Sequence, residues 1–355
     1  MPEPRKPAEP LRVLVVDDSA YNRRSISEIL SSCPDVKVAG KAADGDEALR
    51  LVGELKPDVI TLDLEMPRMD GFTFLRILMS KMPTPVIVVS SYSHKENVFK
   101  ALELGAIDFV PKPDRYADAE LKQIQQELTD KVLLVRLLRP AAATPRPRID
   151  SFIDELAPAP STAPPRHVVA VGSSTGGPTA LMEILSKLPR QSSSAVLVAQ
   201  HMPERFTRTF AERLNRRSSL RVSEAEDGDP VAEGTVFVCP GRRCLELKRP
   251  GARGELRLTV VEPGPDDRYV PSADRLFASV ARSVGSRTVG VVLTGMGEDG
   301  VQGAREIVEA GGVVLVESER TAVVHGMPGA VLRAGVPQRT LTLREMVDYL
   351  TDLGR

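Results

Sequence analysis

The chain has 355 residues, 42% of them hydrophobic and 27% charged, with 47 Lys+Arg against 48 Asp+Glu and a formal net charge of −1. That length accommodates about two domains, and the balanced charge removes any electrostatic reason to expect a nucleic-acid partner. Three cysteines without a CxxC pair (Cys33, Cys239, Cys244) point to reduced thiols in a cytoplasmic protein rather than to a disulfide framework.

The opening MPEPRKPAEP (1–10) is polar and proline-rich, lacks the apolar stretch of a secretory signal, and is expected to be a disordered tail. No apolar run approaches the ~20 residues that span a bilayer, so no membrane insertion is expected. Residues 11–138 then alternate between two periodicities. Short β-branched runs at 11–16 (LRVLVV), 36–40, 58–63 (DVITLD), 85–90 (PVIVVS) and 107–110 read as buried parallel strands. A helix is predicted over 19–32 with Ser19 as its N-cap, and the last helix over 117–138. Five such βα units predict a doubly wound parallel sheet.

Residues 139–166 are rich in proline, alanine and serine and read as a semi-rigid linker, interrupted by IDSFIDEL (149–156), which either docks on a domain or stays solvated. From 167 the alternation resumes: a strand at 167–172, a helix at 177–187, a strand at 194–200 and a helix at 204–215. Shorter strands with Gly and Pro turns over 220–262 suggest hairpins. A helix at 272–284, a strand at 287–293, a helix at 301–310 and a strand at 313–316 complete the pattern. The expectation for 167–355 is a second doubly wound parallel-sheet domain with a small antiparallel insertion.

In the first domain, chemistry-bearing residues fall at the carboxyl ends of strands, the edge where open α/β sheets bind ligands. Asp17 and Asp18 follow the first strand, Asp63 ends the third, Ser90 ends the fourth and Lys112 follows the fifth. Carboxylates so gathered repel unless a hard cation joins them, and Mg²⁺ fits such a set. A carboxylate there can attack a phosphoryl donor, with a lysine and a hydroxyl stabilising the group. Taken singly, Asp17 and Asp18 could be helix caps and Asp63 a turn residue; the joint placement favours the site. VVDDSA (15–20), TLDLEMPRMDG (61–71), VVSS (88–91) and PKP (111–113) resemble the response-regulator receiver, a flavodoxin-like domain. The resemblance implies phosphorylation of Asp63 by a histidine kinase, Mg²⁺ held by Asp18 and Asp63 with Asp17 and the backbone of Glu65 assisting, and phosphoryl contacts from Ser90 and Lys112. It also places Phe109 where receivers carry a switching aromatic ring.

In the second domain GSSTG (172–176) fits G-x-S-x-G between a strand and a helix. Alone, this turn serves equally as a nucleophile site around Ser174, a phosphate cradle or a tight bend. A serine nucleophile needs a base and the base an orienting acid. Of the four histidines, His201 follows the strand SAVLVAQ and so emerges at the same sheet edge as Ser174. LTGMGEDG (293–300) brings Asp299 to that edge, unless Asp299 caps the next helix instead.

GSSTGGP (172–178), QHMPERFT (200–207), EAEDGD (224–229), LTGMGEDG (293–300) and HGMPG (325–329) together resemble the chemotaxis protein-glutamate methylesterase family, CheB, whose catalytic domain is Rossmann-like. The resemblance implies Ser174 as nucleophile, His201 as base, Asp299 as orienting acid, and the N–H groups of Thr175 and Met296 as oxyanion donors. It implies ester hydrolysis with release of methanol from methylated chemoreceptors, deamidation of glutamine by the same apparatus, and no cofactor for hydrolysis. A monomer is expected, although the sequence leaves the oligomeric state open. Glu298, Cys244 and Val270 stand where the family commonly has asparagine, histidine and arginine. A receiver in front of an esterase suggests a gate, with the unphosphorylated receiver expected to pack over the Ser174 edge. The rivals are a scaffold or adaptor output with a vestigial Ser–His–Asp set, and a nucleotide-binding output.

Overall fold

The computed structural model describes residues 9–91, 95–112, 118–138, 161–249, 251 and 254–355. Most of the expected tail, the linker over 139–160 with IDSFIDEL, His94 and the Pro113 of PKP lie outside the described residues. The chain divides into two compact units, Met1–Arg148 and Ile149–Arg355.

The first unit runs β1 (Leu11–Val16), α1 (Ala20–Ser31), β2 (Val36–Ala42), α2 (Gly45–Leu55), β3 (Val59–Leu62), α3 (Gly71–Lys81), β4 (Val86–Ser90), α4 (Lys95–Glu103), β5 (Asp108–Pro111) and α5 (Asp118–Leu133). Its five strands lie in the order β2-β1-β3-β4-β5, all parallel, as the alternation predicts. β3, β4 and β5 are buried at every position, because helices on both faces of a parallel sheet leave no strand face to water. Ser19, Asp44 and Asp70 each accept the backbone N–H three residues on, at the start of α1, α2 and α3. Each such cap is worth about 1 kcal/mol. The strand order reverses between β1 and β3, so the residues following those strands share one crevice.

The second unit runs β6 (His167–Ser173), α6 (Gly177–Leu185), β7 (Ser194–Gln200), α7 (Glu204–Asn215), β8 (Arg221–Glu224), β9 (Thr235–Val238), β10 (Cys244–Lys248), β11 (Arg257–Val261), α8 (Ala273–Val284), β12 (Thr288–Val292), α9 (Val301–Glu309), β13 (Val313–Glu317), α10 (Met327–Arg333), β14 (Arg339–Leu341) and α11 (Leu343–Leu353). A seven-stranded sheet in the order β14-β13-β12-β6-β7-β9-β8 is parallel throughout. The expected antiparallel insertion is the β10–β11 hairpin alone. β8 and β9, expected as hairpin strands, instead extend the main sheet beyond β7. Four-residue strands carry no directional signal, and the buried Val236, Phe237 and Val238 of β9 find their cover in the main core.

Residues 161–166, at the end of the segment read as linker, are tied to this unit. Glu233 N–H donates to Ala163 O, Arg166 N–H to Ser193 O, and Arg287 to Pro165 O. The core gathers Val168, Leu197, Phe237, Leu276, Phe277 and Val292, and each large side chain so buried contributes about 1.5–3 kcal/mol. α8 is also seamed to β10: Leu247 N–H donates to Ser279 Oγ, and Ser283 Oγ donates to Leu247 O.

Candidate active site

β6 and β7 pair in a register that sets Ser173 opposite Gln200. The next residues, Ser174 and His201, therefore leave neighbouring strands at the same carboxyl edge, and His201 N–H donates to Ser173 O at 2.9 Å. Gln200 laces the two turns together. Its amide donates to Ser174 O and His201 O, both at 2.9 Å, and accepts from Ser173 Oγ at 2.7 Å. On the other flank β12 pairs with β6, and Ser174 N–H donates to Thr294 O at 3.0 Å. The G-x-S-x-G turn thus lies where the strand order reverses, between β7 and β12. Gly295 is the residue that lets the β12 turn approach: a Cβ there would fall 2.7 Å from Ser174 Cβ and 2.9 Å from Ser174 N. Ser174 is half-buried between the buried Ser173 and Thr175.

His201 Nε2 lies 2.8 Å from Asp299 Oδ2. Asp299 is 1% exposed, and the start of α8 holds it. Ala273 N–H donates to Oδ2 at 2.7 Å, Asp274 N–H to Oδ1 at 2.9 Å, and Ser272 Oγ reaches Oδ1 at 3.4 Å. A helix N-terminus has unsatisfied N–H groups and a partial positive charge, which suits a carboxylate. The rival reading of Asp299 as a helix cap fails, because Gly300 is the N-cap of α9 and no side chain caps it. Among the described residues no hydrogen bond joins Ser174 Oγ to His201. The structure brings all three residues to one edge and bonds the His–Asp pair; serine–base contacts commonly tighten only with substrate.

Met296, next to Gly295, is 43% exposed, and its N–H has no hydrogen-bond partner among the described residues. Thr175 is buried, and its carbonyl accepts from Thr294 Oγ1 at 2.9 Å. The β12 turn is itself held from below, where Thr294 N–H donates to the buried Glu317 at 2.8 Å.

Several supporting residues escaped the sequence reading: Gln200, Glu317, the Ser272–Asp274 cradle and Tyr269, whose ring stacks on His201 with centroids 5.3 Å apart and planes 3° from parallel. The PSAD stretch (271–274) is a legible helix start, but nothing in it says which carboxylate it receives. Of the three departures from the family pattern, Glu298 is exposed and paired with Arg268 at 2.8 Å. Cys244 is buried, its thiol pushed up by burial and 3.8 Å from Asp267. Val270 is half-buried beside Pro271.

In the first unit Asp17, Asp18 and Asp63 offer carboxylate oxygens within 4.8 Å of one another. Three oxygen donors so close suit a hard divalent cation such as Mg²⁺. Lys112 Nζ reaches Asp63 at 2.6 Å and Asp17 at 3.1 Å. Burial pushes the Asp63 carboxyl up, Lys112 pulls against it, and Asp17 adds to the rise. Asp17 is fixed by Ser19 N–H at 2.9 Å, and Glu65 N–H donates to Asp63 at 3.3 Å. Ser90 is buried at the end of β4. The structure therefore joins Asp17, Asp18, Asp63 and Lys112, with Ser90 at the end of β4 and Glu65 in the turn after β3. Phe109 is buried with its ring edge-on to Phe99 at 6.2 Å, and Lys131 Nζ donates to Phe109 O at 2.6 Å.

Residues 169–350 match the CheB methylesterase family and residues 13–124 the response regulator receiver domain. A protein-glutamate methylesterase/protein-glutamine glutaminase 1 of Myxococcus xanthus is 49% identical over 347 residues, 97% of each chain. A protein-glutamate methylesterase/protein-glutamine glutaminase 6 of Anaeromyxobacter dehalogenans is 50% identical over 349 residues, covering 97% of this chain and 96% of its own. The crystal structure of the Thermotoga maritima CheB methylesterase catalytic domain superposes with a TM-score of 0.51 at 37% identity, over 53% of this chain and 98% of that one. No helix among the described residues is long and apolar enough to cross a membrane.

Proposed function

This chain belongs to the CheB methylesterase family, with a response regulator receiver domain ahead of the esterase domain, and we propose that it hydrolyses methylated glutamate side chains on chemoreceptors under control of receiver phosphorylation. Its domains are then a receiver over 11–138, a linker from 139 whose last residues, 161–166, are tied to the second unit, and a methylesterase domain over 167–355. The observation that carries the reading is the His201–Asp299 bond at 2.8 Å beside the Ser174 turn.

Ser174 Oγ attacks the ester carbonyl and passes its proton to the His201 nitrogen not bonded to Asp299. Asp299, its two oxygens fixed by the start of α8, orients the ring and balances the imidazolium charge. The N–H groups of Met296 and Thr175 face the oxyanion; removing one such donor typically costs about 3–4 kcal/mol in the barrier. The tetrahedral centre collapses, the C–OCH₃ bond breaks, and His201 returns its proton to the leaving methoxide, so methanol departs. Water then attacks the acyl-serine with His201 again as base, which frees Ser174 and leaves a glutamate carboxylate. The same steps on a glutamine side chain release ammonia, which supports the paired activity in the relatives' names.

In the receiver, an Asp63 oxygen attacks the phosphorus of a phosphohistidine kinase, forming a P–O bond as the P–N bond breaks. Asp17, Asp18 and Asp63, with the backbone of Glu65, would hold Mg²⁺, which when bound neutralises charge on the phosphoryl group. Lys112 and Ser90 contact that group.

The test is methanol release from methylated receptor membranes by the full chain and by Ser174→Ala, each with and without a small phosphodonor and Mg²⁺. Release that requires Ser174 and rises with phosphodonor is the expected result. Release unaffected by Ser174→Ala would overturn the nucleophile assignment, and release indifferent to phosphodonor would remove the control.

A further inference from the structure

The loop over 262–270, between β11 and the cradle that holds Asp299, has no role in the chemistry above, yet it brings a ring over the base. Asp267 is gripped by Arg275 of α8 at 2.6 Å and by Gly264 N–H at 2.6 Å. Arg275 also pairs with Glu246 of β10 at 2.5 Å. Burial works against the Asp267 charge, but the Gly264 amide and Arg275 hold its carboxyl below the ordinary range. The loop is therefore anchored two residues before Tyr269, on the same helix whose first turn holds Asp299. From that anchor the Tyr269 ring lies parallel to the His201 ring, 5.3 Å centre to centre. Its hydroxyl reaches the β12 turn, where a Cβ on Gly297 would fall 2.6 Å from Tyr269 Oη. Arg268 covers the ring at 5.4 Å and pairs with Glu298 of that same turn.

We infer that Tyr269 is a positioning residue for His201: its ring fixes the plane of the imidazole and presents a π-face to the imidazolium that forms as Ser174 attacks. The inference rests on the esterase reading. Asp299 fixes only one nitrogen of His201, which leaves the ring free to pivot about that bond; a parallel ring against its face removes the pivot. An aromatic face also attracts a cation, and His201 is cationic in the transition state but not before it. The contact therefore lowers the barrier rather than tightening substrate binding. The phenol hydroxyl is not needed for either effect.

The experiment compares the full-length wild type with Tyr269→Phe, Tyr269→Leu and Tyr269→Met, with Ser174→Ala as blank. kcat and KM for methanol release are read together with the proton NMR shifts of the His201 ring. Leucine and methionine are expected to lower kcat about ten-fold, the size of one aromatic–cation contact in a partly desolvated site, with KM held within about two-fold. Phenylalanine restores kcat to within about three-fold, because it keeps the face. The upfield ring-current shift of the His201 protons is expected in the wild type and Tyr269→Phe and absent in the other two. Wild-type kcat in both Tyr269→Leu and Tyr269→Met, equal losses in all three variants, or unchanged His201 shifts would each overturn the inference. If the wild type matches Ser174→Ala, the esterase reading fails, and the ring shifts alone then decide whether Tyr269 fixes His201.

Discussion

Replacing Asp299 with asparagine tests how the start of α8 governs the site. Both carboxylate oxygens of Asp299 accept backbone N–H groups, Oδ2 from Ala273 and Oδ1 from Asp274, and Oδ2 alone also meets His201. An amide nitrogen at the Oδ2 position would face two donors, whereas at Oδ1 it opposes the Asp274 N–H and the weaker Ser272 contact. The substituted amide is therefore expected to keep its oxygen toward His201 and to preserve the proton on Nε2. What it loses is charge. A unit charge about 4 Å from the imidazolium is worth roughly 4 kcal/mol at an effective dielectric near 20, and the amide dipole recovers part of that. A barrier increase of about 2–4 kcal/mol corresponds to a fall in kcat of roughly 30- to 1,000-fold. That is less than the ~10⁴-fold seen when such a change also inverts the histidine tautomer in a serine protease. The opposed Asp274 N–H costs stability of about 1–3 kcal/mol. Methanol release gives the rate, and nitrogen-15 NMR of the His201 ring gives the tautomer. A loss of about 10⁴-fold or more with the proton moved to Nδ1 would refute the argument that the backbone donors set the orientation. A loss under about three-fold would remove Asp299 from the mechanism.

Three further outcomes are expected. Asp63→Asn, which deletes the phosphoryl acceptor, should leave methanol release indifferent to phosphodonor and Mg²⁺; a retained response would move the acceptor elsewhere. Asp274 is pushed up to about 6 by burial, its Gly303 bond pulling against this and Asp299 adding to it. A carboxyl raised on folding favours the folded state when protonated, so its share of stability is full below about pH 4 and is lost as pH rises through about 6. Denaturant melts should show that slope in the wild type, and it should flatten in Asp274→Asn; an equal slope in both would place the titration elsewhere. Gly297→Ala should cost about 1–3 kcal/mol, because φ there is +96° and the new Cβ meets Tyr269. A thermal shift below about 2 °C would show that the turn relaxes freely.

Much of this molecule was legible because parallel α/β units repeat one physical pattern. Buried strands such as LRVLVV and SAVLVAQ announce themselves by unbroken apolar runs, and the carboxyl end of each then locates the chemistry. That logic put Ser174, His201 and Asp299, and separately Asp17, Asp63 and Lys112, at common edges. The same reading stopped at 316 and passed over α10, β14 and α11. In MPGAVLR the Pro sits in the first helical turn and a Gly follows it, so seven residues carry little helical pattern. β14 has three residues, mostly exposed. α11 was readable, with a Thr342–Glu345 capping box and buried Leu343, Met346, Val347 and Leu350. The helix that supports the site was readable, but the partners its first turn and the preceding loop would meet were not. Tyr269 meets His201 from a loop that Arg275, in a different element, anchors through Asp267. No spacing in one sequence encodes that meeting.

The seam between α8 and β10 has a practical consequence. The helix that presents Ala273 and Asp274 to Asp299 is itself fastened to the hairpin through Ser279 and Ser283 on Leu247. A single loosened fastening, such as Ser279→Ala, leaves every reacting group in place and strands one buried amide. Such a lesion suits a conditional allele: an enzyme sound in the cold whose site drifts out of alignment on warming, so that its activity is switched off by a shift in temperature.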